Sequence, residues 1–159
     1  MKTDKNLIGA AGEHLVLSRL LARGVLASQA PRGTEKVDIL INPHNGGTPR
    51  LIQVKTRTGI NANSGWTMNV KHEEIKDKNL FYAFVALGEP ESDVYVIPAK
   101  VVAQAVTESH AKWLNTPGAK GQQRNATDMR RIRNRYGIGL KSVPDGWMKK
   151  YLENWELIS

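Results

Sequence analysis

Four polar residues in the first third of the chain have the types and spacing that cation chemistry needs: Glu13, Asp38, Gln53 and Lys55. Alternate residues of a strand share a face, so Gln53 and Lys55 of the run RLIQVKTR project together while Ile52 and Val54 point the other way. Asp38, within KVDILIN, is out of phase with Val37, Ile39 and Ile41, and a hairpin pairing would set its carboxylate beside Gln53. Glu13 extends a helical stripe of Leu17, Leu20 and Leu21, which turns its carboxylate toward a sheet. Core-facing carboxylates cost on the order of several kcal/mol unless something cationic sits between them. Oxygen donors from Glu13, Asp38 and Gln53 suit Mg²⁺, with Mn²⁺ as a substitute, rather than zinc. The chemistry expected of such a group is phosphodiester hydrolysis, with Lys55 orienting the nucleophile or stabilising the developing charge.

The elements that must position these residues can be read from periodicity and turn chemistry. A helix is predicted from Ile8 to Gly24, then strands over Val25 to Gln29, Lys36 to Asn42 and Arg50 to Arg57, with NPHNGGTP as the loop between the last two. A polar loop from Thr58 to Asn69 leads to a short helix over Lys71 to Lys78, followed by strands at Leu80 to Leu87 and Asp93 to Ile97. Pro98 opens a helix through Ser109, and two more helices are predicted at Thr127 to Tyr136 and Asp145 to Asn154. This order predicts an α/β core over residues 1–110, with a mixed central sheet flanked by helices. Residues 111–159 read as a basic, mainly helical C-terminal extension packed on that core.

Composition narrows the class of function. At 159 residues, with 40% hydrophobic and 24% charged, one compact domain with an appendage is expected. The formal charge is +8, and six of those net positive charges fall in residues 111–159, so polyanions are the favoured partners. There is no cysteine, which removes thiolate chemistry and disulfides and points to the cytoplasm. No apolar run approaches the length of a membrane span, and no membrane partner is expected. The four histidines are scattered without zinc-ligand spacing, and no GxxxxGK loop suggests ATP.

Taken together, Gly12-Glu13 on the first helix, Val37-Asp38 on a strand and Gln53-Val54-Lys55 on the next resemble the PD-(D/E)xK nuclease superfamily, in particular its Holliday-junction-resolvase-like and homing-endonuclease-like branches. The likeness covers roughly Gly9 to Ser109. It implies a restriction-endonuclease-like αβββαβ core, Mg²⁺-dependent cleavage of duplex or branched DNA, and a helix-borne Glu supporting the Asp and (D/E)xK pair. Two positions depart from the pattern: Val37 stands where Pro is usual, and Gln53 replaces an acid, which removes a negative charge from the cation site.

Arg32, Arg57 and Lys71, near the catalytic group in sequence, are expected to contact the DNA backbone, as is the run Arg130, Arg131, Arg133, Arg135, read as a helix face. Trp113, Trp147 and Trp155 are expected to anchor C-terminal helices, whereas Trp66, in a polar loop, is the candidate for stacking on a base. Two rival readings stay open: an inactive nuclease-fold module that binds DNA, and a protein-interaction factor whose basic surface docks an acidic partner. A homodimer also stays open, because two active sites must reach two strands and no segment reads as a dimer seam.

Overall fold

A computed structural model describes residues 4–59 and 64–158. Helix α1 (Lys5–Ala22) starts where the Asp4 carboxylate accepts the Asn6 N–H at 2.8 Å, and it ends before Gly24. Strands β1 (Ala27–Gln29), β2 (Ile39–Ile41) and β3 (Arg50–Thr58) then form an antiparallel meander. The main sheet is completed by β5 (Leu80–Leu87) and β6 (Asp93–Pro98), in the order β1-β2-β3-β5-β6, with β3 and β5 parallel and every other pair antiparallel. It is a mixed sheet, as expected.

Strand β5, LFYAFVAL, is buried on both faces through Ala86, which is why it reads as an unbroken apolar run. Its alternate side chains serve two cores. Phe81, Ala83 and Val85 join Ile39, Ile41 and Ile52 beneath Val16 and Leu20 of α1. Tyr82 and Phe84 join Ile97 beneath Val102 and Val106 of α2 (Ala99–Leu114). The buried line on α1 is Gly12, Val16 and Leu20. Leu21, placed on the stripe by sequence, is 50% exposed, so the helix is rotated about one residue from the expected phase.

Three expected elements differ. The crossover from β3 to β5 carries a strand, β4 (Trp66–Asn69), and a 3-10 turn (Val70–Glu73) where a longer helix was expected at 71–78. Part of the expected polar loop, residues 60–63, lies outside the described residues. The expected helix at 127–136 is instead a strand, β7 (Met129–Ile132), paired antiparallel with β4 in a second, two-stranded sheet. Its alternation of exposed and buried residues is strand-like, and Arg130 and Ile132 turn inward because Trp66 and Met68 of β4 need a partner strand to stay covered.

The expected helix at 145–154 is broken into 3-10 turns at Trp147–Tyr151 and Trp155–Leu157. Between them Leu152 bridges Tyr95, while Glu153 N donates to Val94 O at 2.8 Å and its carboxylate accepts the Val94 N–H at 3.1 Å. The chain leaves helical geometry there because β6 is an edge strand whose polar groups need partners. The last third is therefore strand and 3-10 turn where α-helix was expected, and Leu140, Val143, Trp147 and Met148 are part of the core beneath α2.

Gly12 is the point of closest approach between α1 and the sheet. A Cβ built there would lie 1.9 Å from Thr56 Oγ1 and 2.8 Å from Thr56 Cβ, a clash that only a shift of the helix relieves. Gly12→Ala is expected to destabilise the fold by about 1–3 kcal/mol in urea melts. Adding Thr56→Ala, which removes two of the three clashing atoms, should recover part of that loss; additive losses in the double variant would contradict the contact.

Candidate active site

The site is built where β2 parts from β3. Ile39 faces Ile52 in the ladder, yet Asp38 N also donates to Ile52 O at 2.8 Å, one residue out of register, which is the pattern of a β-bulge. Beyond the bulge the strands no longer exchange backbone bonds in phase, and the Val54 N–H is satisfied by Asp38 Oδ2 at 2.7 Å. An unpaired buried amide would cost about 1–3 kcal/mol, so the Asp38 carboxylate completes the sheet and is itself held in orientation by it.

Gln53 and Lys55 follow on β3, in register with Tyr82 and Phe84 of β5. Neighbouring residues of parallel strands share a face, so both project on the α2 side, as their alternation predicts. Gln53 Oε1 is buried without a hydrogen-bond partner. Lys55 is half-buried, and burial holds its ammonium below its ordinary value; Asp38 opposes that shift and Lys71 reinforces it.

Glu13 comes from the other side, on α1, half-buried and next to the Gly12 contact. Burial raises its carboxyl above the ordinary value, and the charge of Asp38 raises it further, while His14 and Arg32 pull it down. Asp38 is thus the hub: Glu13 on one side and Lys55 on the other both feel its charge. Gln53 is the next residue along from Ile52 and immediately precedes the Val54 amide that Asp38 holds.

Behind Lys55 lies one of the four histidines whose scattered spacing carried no zinc signal. His72 is 2% exposed and its Nδ1 lies 2.7 Å from Tyr82 Oη. Burial, and then Lys55, Lys71 and Lys36, hold His72 down to about 4, so it is neutral at physiological pH. Burial raises Tyr82, which keeps its hydroxyl protonated. The pair forms a neutral polar floor under the face that carries Gln53 and Lys55. The sequence signal was the phase of Tyr82, one strand over from Gln53, but nothing in the sequence shows which strands are neighbours.

The expected backbone contacts are sorted by the fold. Arg32 is exposed and close enough to Glu13 to act on its charge, and Lys71 is exposed beside Lys55. Arg57 folds over the Trp66 ring at 4.6 Å, donates from Nη1 to Gly59 O at 2.7 Å, and keeps Nε and Nη2 buried without partners. Arg130 is 8% exposed, paired with Glu73 and bonded to Thr127 O, a structural role. Arg135 reaches Asp145 at 3.1 Å. Arg131 and Arg133 have no carboxylate partner among the described residues. Trp66 is no stacking residue in this fold: it is 3% exposed, its Nε1 donates to Val85 O at 3.0 Å, and it packs on Phe84 and Tyr95.

Among the described residues no group of three or more His, Asp or Glu side chains could hold a metal ion. The oxygen donors on offer are two carboxylates and an amide: Asp38 and Glu13, which feel each other's charge, and the unpartnered Gln53 oxygen on the other face of β3. That donor set fits a hard divalent cation, because Mg²⁺ is commonly held by one or two carboxylates with water completing its shell.

No protein-family model matches the sequence, and no curated protein matches it. Among solved structures, the bacterial homing endonuclease I-Ssp6803I is similar, with a TM-score of 0.56 at 14% identity, over 98% of this chain and 93% of that one. At that identity the likeness is one of fold, and it extends through the C-terminal third that the sequence pattern did not cover. Among the described residues no helix is long and apolar enough to cross a membrane.

Two titrations probe this arrangement. Since Asp38 raises Lys55, Asp38→Asn should lower the Lys55 value further, read from the ¹³Cε shift of labelled lysine; an unchanged value would show that the two do not interact. His72 has a depressed value in the folded state, so the stability it contributes is complete above 6.5 and lost as pH falls toward about 4. The urea midpoint of the wild type should fall as pH is lowered across that window, and the fall should be smaller in His72→Gln; equal falls in both would remove His72 as the cause.

Proposed function

We propose that the protein is a metal-dependent endonuclease of the PD-(D/E)xK type that hydrolyses DNA phosphodiester bonds at the β2–β3 bulge. The observation that carries this reading is the buried Gln53 oxygen left without a partner beside the Asp38 bulge, with Lys55 on the same strand face. A buried acceptor of this kind is costly unless a ligand completes it. Mg²⁺ would be held by Asp38, Glu13 and Gln53. A divalent ion held there would supply charge neutralisation at the scissile phosphate and would ease deprotonation of the attacking water.

The side chains contribute the rest. The backbone bond to Val54 holds the Asp38 carboxylate in orientation before any substrate arrives. Lys55, drawn down by burial, carries a charge on the face where the phosphate would lie and can orient the attacking oxygen. Lys71 and Arg32 flank the centre as exposed cations suited to neighbouring phosphates. The homing endonuclease likeness supports DNA as the substrate.

One observation favours a second reading, an inactive DNA-binding module: Gln53 stands where an acid would add charge, and the described residues form no three-acid metal cluster. Calorimetry with Mg²⁺ and Mn²⁺, followed by cleavage of supercoiled, branched and single-stranded DNA, separates the two. The nuclease reading expects metal binding and cleavage in the wild type, both lost in Asp38→Ala, and tighter metal binding in Gln53→Glu. DNA binding that ignores Mg²⁺, with no cleavage of any form, would establish the inactive module instead.

The pH dependence follows from Glu13. Its folded value is raised, so without metal the stability it contributes is present below its ordinary value of 4.5 and is lost as pH rises through the folded value. Metal binds only the ionised form, so thermal stabilisation by Mg²⁺ should grow with pH over that range. Glu13→Gln should abolish this growth, and its persistence would remove Glu13 from the ligand set.

A further inference from the structure

The unpaired arginines of the last third gather away from the bulge. Between the C-terminal turns of α2 and β7 lies a groove of about 320 Å³, with Trp113, Met129 and Ile138 among its apolar lining, Arg130 in its wall already paired with Glu73, and Arg124, Arg131 and Arg133 as its further cations. None of these three arginines has an ion-pair partner among the described residues. Trp113 and Met129 are 39% and 58% exposed, so the groove presents apolar surface and uncompensated positive charge together. That combination is costly on a surface with no partner.

The cations are held in place by packing. The Arg124 guanidinium lies 4.7 Å from the Trp113 ring centre, and His110 stacks on the same indole at 5.5 Å. A guanidinium resting on an aromatic face keeps its in-plane N–H donors free and loses little further freedom when an anion binds. Arg131 and Arg133 flank Gly65, where a Cβ would fall 2.5 Å from Arg133 Cγ, 3.2 Å from Arg131 Cγ and 2.4 Å from Ile132 O. Their stems are therefore seated against the backbone before β4. The strand register turns Arg130 inward to Glu73 and leaves Arg131 outside, and the half-buried Arg133 follows just past the end of β7.

We propose that this groove binds successive phosphates of a DNA strand, with Arg131 and Arg133 on neighbouring phosphates and Arg124 on a third; the proposal rests on the nuclease reading for its choice of polyanion. Arg131 lies on β7 and Arg133 just past its end, and two residues of extended chain span up to ~7 Å, comparable to the spacing of successive phosphates along DNA. The groove is also tied to the catalytic side of the molecule. Val70 N donates to Asp128 O at 2.8 Å and Arg130 pairs with Glu73, which joins the groove wall to the turn carrying Lys71 and His72 beside Lys55. A strand entering at Asp38 could continue past Lys71 into the groove.

The test is metal-free binding of a fluorescein-labelled DNA duplex by the full chain, titrated over a range of salt. Compared with wild type, the triple variant Arg124→Gln, Arg131→Gln, Arg133→Gln should lower the slope of log affinity against log salt by about 2–3 and weaken binding at least tenfold at about 100 mM salt. The charge-matched control Lys120→Gln, Lys149→Gln, Lys150→Gln removes three exposed cations outside the groove and should leave the slope within one unit of wild type. Circular dichroism melts check that both variants are folded, and single substitutions replace the triple if it is not. An unchanged slope in the arginine variant, an equal loss in the control, or a wild type that retains no DNA at low salt would each overturn the proposal. Because this binding test contains no metal, its outcome is separate from that of the cleavage assay: a wild type that cleaves no DNA when Mg²⁺ is supplied would sink the nuclease reading and leave the groove to be judged by the salt slopes.

Discussion

The hydrogen bond from Val54 N to Asp38 Oδ2 joins the fold to the chemistry. A bulge at this place leaves β3 with an amide that β2 can no longer satisfy by backbone pairing, and the side chain of the bulged residue takes over. The same carboxylate is thereby fixed between Glu13 on α1 and Lys55 on β3, and its charge acts on both. Were β2 and β3 to run on in phase, Asp38 would be an ordinary strand residue with a free carboxylate.

Two further constraints make that arrangement possible. Gly12 lets α1 lie against Thr56, which brings Glu13 to the same end of β3. On the opposite face the parallel pairing of β3 with β5 sets Tyr82 beside Gln53 and Phe84 beside Lys55, and the Tyr82–His72 pair supplies a buried floor that is neutral and hydrogen-bonded. A charged floor there would compete with a cation or with Lys55. Burial and three nearby lysines keep His72 unprotonated.

The basic last third is sorted by strand geometry rather than helix geometry. On a helix, Arg130, Arg131, Arg133 and Arg135 would fan around the axis as a solvated surface. On β7 alternation sends Arg130 to an ion pair inside and leaves Arg131 outside, with Arg133 just past the strand's end; among the described residues neither Arg131 nor Arg133 has an ion-pair partner. The same pairing buries Trp66 beneath the small sheet, which is why a tryptophan flanked by polar residues is a core residue here.

The order of the first elements, the apolar run of β5, the shared face of Gln53 and Lys55 and the basic character of the C-terminal third were all legible in the amino-acid order, because each depends on local periodicity or composition. The helix expected at 127–136 was not, because MRRI satisfies either period and only the open edge of β4, some sixty residues away, selects a strand. The same holds for the break at Leu152–Glu153, where the edge of β6 overrides helical preference. Sequence could propose that Glu13, Asp38, Gln53 and Lys55 belong together. The bulge, the helix rotation and the strand neighbours that relate them are long-range pairings, and only the tertiary structure decides those.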